Sequence, residues 1–228
     1  GKFVYAYGNT VSQGAYYLGS VADKYYLNPA GLIELKGLST EVTFFKNFAE
    51  KYGIGIQVIR HGKFKAAVEP FLRDEISPEN KEQLSTLLND IWANTSKKIA
   101  DSRKISLPEL NMITDSLYSY LPNLSLKYKL ADQLIQKSEY DNIICKKLNI
   151  DADKKINKIS FAKYSESLES ENDGKKIAVL YASGAIYNGK GYDGIYAENF
   201  VKEIKKIQKD DDIKAVVFRI NSPGGSAN

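Results

Sequence analysis

Ala215, Val216, Val217, Phe218 and Ile220 form an apolar run broken only by Arg219. A strand without a polar alternate face needs cover on both sides, the condition of a strand inside a parallel sheet flanked by helices. The run ends abruptly at Asn221-Ser222-Pro223-Gly224-Gly225-Ser226. Proline presets one backbone angle of such a turn, and glycines permit the others. Before it, Lys176 to Tyr181 reads as a second strand, and Ala197 to Gln208 as a helix with Phe200, Ile204 and Ile207 inward. Strand, helix and strand in alternation argue an α/β architecture with a parallel sheet.

The first part of the chain carries the same grammar. Residues 3–7 read as a strand and Gly8-Asn9-Thr10 as a turn, then a helix follows that Ser12 can cap. Short strands at 25–27 and 32–35 flank a turn at Asn28-Pro29. A helix over 40–51 capped by Ser39 should end at Gly53, and Ile54, Ile56 and Val58 alternate as in a strand over 54–60. Ser77-Pro78-Glu79 is a strong helix start, and Leu84, Leu87, Leu88, Ile91 and Trp92 recur at helical spacing after it. A second start follows at Ser106-Leu107-Pro108-Glu109, with helical stretches expected over 125–136 and 139–148. Residues 151–175 are polar and weakly periodic, apart from a short strand allowed at Ile159 and Phe161. The expected organisation is therefore an α/β region at 1–150, a linker at 151–175 and a second α/β region starting at 176.

Composition narrows the function. With 43% apolar and 26% charged residues the chain can build a core, so it is not a disordered polymer. The net charge of +4 is spread over interleaved lysines and acids, which argues against a nucleic-acid partner. One cysteine, Cys145, and one histidine, His61, allow neither an internal disulfide nor a closed zinc site. Cys145 reads as a buried small hydrophobe and His61 as a polar turn residue. Neither a phosphate-binding nor a dinucleotide-binding glycine pattern is present, and no cofactor is expected. No apolar stretch approaches the roughly 18 residues that cross a bilayer. The chain starts directly on a strand and stops on a turn that should lead into a helix, so it reads as a fragment of a longer protein.

Two segments can carry chemistry. Lys65 lies between Phe64 and the small apolar run Ala66-Ala67-Val68. An amine in apolar surroundings loses the solvation of its charged form and can serve as a general base near neutral pH. The competing reading is a solvated lysine at the edge of an element. The second segment is the Gly224-Gly225 turn, whose N–H groups can be aimed at an oxyanion at the carboxyl end of a strand. An ordinary strand-to-helix turn fits equally well.

Together, Tyr16-Tyr17-Leu18, the stretch from Lys65 through Glu69-Pro70-Phe71-Leu72-Arg73-Asp74 to Ser77-Pro78, and the turn from Arg219 to Ser226 resemble the signal peptide peptidase A (protease IV) family in its long, two-repeat form. The resemblance implies Clp protease/crotonase-like repeats, the first nearly whole and the second begun at 176–228. It implies a serine peptidase with a serine-lysine dyad that degrades cleaved signal peptides and other peptides. By position Lys65 corresponds to the general base, and Gly224 and Gly225 to the oxyanion turn. The nucleophilic serine of the family lies beyond that turn, past the end of this chain, so the fragment alone is expected to be inactive. In the first repeat Gln13 stands where the second repeat carries its serine, and Ser12, one place away, is a decoy. Homo-oligomeric rings, a membrane anchor outside these residues and a bacterial envelope location are implied too. A crotonase-like acyl-CoA enzyme and a non-catalytic assembly module are the alternatives.

Overall fold

The opening strand runs further than its apolar residues suggest: β1 spans Tyr5–Ser12. The computed structural model describes residues 2–59, 65–151, 156–168 and 174–226. α1 (Gln13–Gly19) follows at once, capped by Ser12 as expected, and β2 (Lys24–Glu34) returns parallel to β1. The turns expected at 8–10 and 28–29 are not strand ends. They sit in a register shift, in which Gly8 pairs with Leu27 and Thr10 with Leu32. Asn28 Oδ1 accepts the Ala30 N–H at 2.9 Å, a side-chain turn inside the strand. Gly31 passes so close to β1 that a Cβ there would lie 2.4 Å from the Asn9 carbonyl oxygen. One strand with an internal bulge therefore replaces two short ones.

α2 is only Lys46–Lys51, and residues 36–45 form no regular element. Residues 54–59 are not a strand. All but Val58 are exposed, so their alternation has no sheet to face. A 3₁₀ turn at Ala66–Val68 leads into α3 (Glu69–Leu72). α4 (Pro78–Arg103) has the expected start: Ser77 Oγ accepts the Asn80 N–H at 3.2 Å, Pro78 opens the helix and Glu79 lies in the first turn. Its apolar stripe is less buried than its spacing suggests, with Leu87 and Ile91 about half exposed, whereas Ile99 and Ala100 enter the core. α5 (Leu107–Asp115) starts at Ser106. The helix expected over 125–136 is instead α6 (Pro122–Lys127) followed by β3 (Gln133–Leu134), which pairs parallel with β2. α7 (Lys137–Leu148) carries the buried Cys145.

The sheet order β1-β2-β3 sets the core: Val11, Tyr25, Leu27, Ile33 and Leu35 meet Tyr16, Ile99, Leu110, Ile113 and Leu130. A polar latch closes it. Arg103 donates to Asp132 at 3.0 Å and to the Lys129 carbonyl at 2.9 Å, and Asp132 also accepts the Tyr25 N–H at 2.7 Å.

Two compact units divide the chain, residues 1–156 and 157–228. The second begins with α8 (Phe161–Glu166), capped by Ser160, so Phe161 opens a helix where the sequence allowed a short strand. β4 (Lys176–Ser183), β5 (Ile186–Tyr187), β6 (Ile195–Tyr196), α9 (Ala197–Lys209) and β7 (Ile213–Asn221) follow. β4 pairs parallel with β7, and β5 with β6. The parallel pairing is as expected, but the two-sided cover is not: within the described residues β7 is exposed from Lys214 to Asn221. α9 crosses between the paired strands and sets Phe200 against Phe218, ring centres 6.1 Å apart, while Ile204 stays half exposed.

Candidate active site

At the end of β1, the Ser12 hydroxyl accepts the Ala15 N–H at 3.4 Å and serves as the cap of α1. Gln13 is tied differently. Its Oε1 accepts the N–H groups of Lys36 (3.1 Å) and Gly37 (3.0 Å), and its Nε2 donates to the Gly37 carbonyl at 3.1 Å. A side-chain amide thus holds the chain as it leaves β2. Neither residue is arranged as an activated nucleophile: one is a cap and the other cannot attack.

Lys65 stands at the N-terminal edge of the 3₁₀ turn, and its side chain is exposed. The apolar enclosure expected around it is not supplied by its described neighbours. Ala66 and Val68 are half-buried and Ala67 is exposed, and the one-carbon side chains of the two alanines cannot cover a four-carbon stem. His61 and Phe64 lie outside the described residues.

The backbone beneath Lys65 is firmly held. The Glu69 N–H donates to the Ala66 carbonyl, and the Phe45 N–H to the Pro70 carbonyl at 2.6 Å. Phe45 and Phe71 stack with centres 5.9 Å apart. Glu69 is 1% exposed, and its carboxylate accepts the Ser77 hydroxyl, the Ser77 N–H at 3.3 Å and the Asn80 amide at 3.1 Å. Burial pushes its pKa up, but the Ser77 and Asn80 hydrogen bonds and the Arg73 guanidinium outweigh that and hold it below the ordinary value. The sequence places this residue in the stretch that carries the resemblance but assigns it no role. The available signal was an acid directly before proline, with Ser77 and Asn80, two good partners for a carboxylate, close behind.

In the second unit, Gly224 and Gly225 take φ values of +101° and +154°, which other residues rarely adopt. A Cβ on Gly225 would lie 2.2 Å from the Ile186 carbonyl oxygen. The Ile186 N–H donates to the Gly224 carbonyl and the Ser226 N–H to the Ile186 carbonyl, each at 2.9 Å. The Gly224 N–H donates to Ser222 Oγ at 3.1 Å. The Gly225 N–H takes no part in these bonds. Among the described residues no His, Cys, Asp and Glu cluster could hold a metal ion.

Parallel strand pairs joined through helices occur in both units, an arrangement compatible with an α/β fold. The sequence model of peptidase family S49 matches residues 1–150, and the chain belongs to that family. Over its whole length it is 34% identical to Protease 4 of Salmonella typhi and 33% identical to Protease 4 of Haemophilus influenzae. It is also 31% identical over its whole length to the chloroplastic serine protease SPPA of Arabidopsis thaliana. The family resemblance read from the residues agrees with these relatives. The chain spans 38%, 39% and 35% of their respective lengths.

Proposed function

We propose that this chain is the base-bearing part of a serine-lysine endopeptidase that degrades cleaved signal peptides, with Lys65 as general base. The observation that carries the reading is that the family match spans the lysine segment, and that this segment is fixed by Glu69, Phe45 and Phe71 rather than hanging from a loose loop. The nucleophile is a serine outside these 228 residues, in keeping with the capping role of Ser12. Lys65 Nζ takes the proton of that serine hydroxyl as its oxygen attacks the peptide carbonyl. Backbone N–H groups hold the resulting oxyanion, the role that the resemblance implies for the Gly224-Gly225 turn. Collapse of the tetrahedral intermediate breaks the C–N bond, and the lysine proton passes to the leaving amine. Water, deprotonated by Lys65, then hydrolyses the acyl-enzyme.

Because Lys65 is exposed here, its cover comes from the rest of the protein and from the apolar core of the bound peptide. Homo-oligomeric rings, an envelope location and an anchor elsewhere in the protein belong to the same reading. Among the described residues no helix is long and apolar enough to cross a membrane. The test is Lys65→Ala in the full-length protein, assayed on a signal peptide. Turnover should fall by about 10²–10⁴-fold, the usual contribution of a general base, while the circular dichroism melt is unchanged. Wild-type turnover in a folded Lys65→Ala protein overturns the assignment.

A further inference from the structure

We propose that Glu69 is the positioning residue of the lysine base, its buried carboxylate locking the Lys65 turn onto the start of α4. The inference rests on the reading of Lys65 as base and adds a residue that acts only through it.

Every polar group of Glu69 is used. Its N–H closes the 3₁₀ turn by donating to the Ala66 carbonyl, and its carbonyl accepts the Arg73 N–H at 2.9 Å. Its carboxylate accepts from Ser77 twice and from Asn80 once. Ser77 is 5% and Asn80 8% exposed, so the cluster is shielded from water. Removing a carboxylate from water is costly, and an apolar side chain of similar volume would fill the space with less penalty. Such a group is best explained by the geometry it imposes. Here it joins the residue four places after Lys65 to the first turn of a 26-residue helix. The other end of α4 is fixed in the β1–β2 core by Ile99, Ala100 and Arg103. At 1.5 Å per residue the helix is about 39 Å long. The lysine turn is therefore mounted on a rod whose far end is set in the hydrophobic core. At its near end the Phe45 N–H also bonds the Pro70 carbonyl and Phe45 stacks on Phe71, but Phe45 belongs to an irregular segment and is itself 44% exposed, whereas the Glu69 cluster is buried.

Glutamine at this position keeps the volume but trades one acceptor oxygen for a donor. The turn loses part of its clamp while the core is untouched. Misplacing a base by about 1 Å is enough to lower turnover 10²-fold. Substrate affinity does not depend on the amine's alignment, so KM should be spared.

The test uses the full-length protein and a signal-peptide substrate, well below its melting temperature. Glu69→Gln should lower kcat at least 10-fold with KM within about twofold, and Asn80→Ala should lower kcat in the same sense but less. In a Lys65→Ala background, Glu69→Gln should have no further effect on the residual rate, because the two act as one unit. If Lys65→Ala is inactive but folded Glu69→Gln keeps wild-type kcat and only melts earlier, Glu69 is structural and the inference fails alone. Should Glu69→Gln not fold, Asn80→Ala decides: wild-type kcat there overturns the inference. Full activity of Lys65→Ala sinks both.

Discussion

Leu27 and Ile33 on β2 are fully buried, whereas Val217 and Phe218 on β7 are 50% and 52% exposed. Both strands are apolar, both are paired in parallel, and each is joined to its partner through a helix. The difference lies in how many other elements return to the strand pair. Around β1 and β2, residues from α1, α4, α5 and the stretch after α6 close over both strands. Around β4 and β7 the cover is mainly α9, which brings Phe200 to Phe218 and leaves Ile177, Val179, Tyr181, Val216 and Ile220 about half exposed or more. An apolar run thus determines that a strand forms, whereas the cover is set by residues far away in sequence.

The sharpest way to break this comparison is to cut the same kind of side chain from each strand. In the 228-residue chain, Ile33→Ala should destabilise the first unit by about 3 kcal/mol, since a fully buried side chain leaves a cavity. Val217→Ala should cost under about 1 kcal/mol, because half its surface is already in water. Hydrogen exchange of peptides from β1–β2 and from β4–β7 reads the two effects separately. Equal losses would mean that the second sheet is packed on a surface not evident in its exposure.

A smaller contrast lies in the tyrosines. The Tyr16 hydroxyl is buried and donates to the Leu130 carbonyl at 2.8 Å. Burial pushes its pKa well above the ordinary phenol value, against the pull of Arg103 and with help from Tyr25 and Asp132. Tyr25 is pushed by burial to about 12, also against Arg103. Groups whose folded pKa is raised contribute stability that is complete below the unfolded value near ~10 and lost as pH rises beyond it. The first unit should therefore weaken between about pH 10 and 12, by ~1.4 kcal/mol per pH unit for each such group. Melting followed from pH 8 to 11.5 should show that slope, and Tyr16→Phe should flatten it. An identical slope in the variant would assign the alkaline loss elsewhere.

Local signals were legible where a single residue sets the backbone. Ser12, Ser77 and Ser106 cap the helices they were read to cap, because a capping bond spans only three residues. Lys104, by contrast, ends α4 in a left-handed conformation that no glycine announced. The strand expected over 54–60 was not legible as a mistake. Alternation shows which residues could share a face but not whether a partner strand exists. The bulge pairing Gly8 with Leu27 and Thr10 with Leu32 was hidden for the same reason, since it is a relation between two strands. Lys65 could be singled out only through the resemblance carried by the stretch from Lys65 to Pro78, since by local sequence alone a solvated lysine is the simpler reading. The hydrogen bonds that anchor its turn reach 8 and 11 residues along from Glu69, farther than a capping bond, and only the acid before Pro70 with Ser77 and Asn80 behind it hints at them.

The smallest effect contrasts two carboxylates held below their ordinary pKa by hydrogen bonds. Glu69 is buried among Ser77 and Asn80, whereas Asp193 in the second unit accepts the Tyr196 hydroxyl at 2.6 Å on an exposed surface. A depressed folded pKa contributes stability present above the unfolded value, near ~4.3 for Glu, and lost as pH falls through the folded one. Lowering the pH from 6 to 3 should therefore loosen the α3–α4 junction, read as increased proteolysis between residues 65 and 80. Glu69→Gln should be looser at pH 6 and less sensitive to the descent, because no proton remains to be taken up there. Asp193→Asn, read by proteolysis between residues 187 and 196, should change neither the looseness at pH 6 nor the acid sensitivity of its own surroundings, since water competes for an exposed hydrogen bond and weakens what it contributes. If Asp193→Asn alters acid sensitivity as much as Glu69→Gln, hydrogen bonding without burial is enough, and the difference between the two units lies only in their apolar cover.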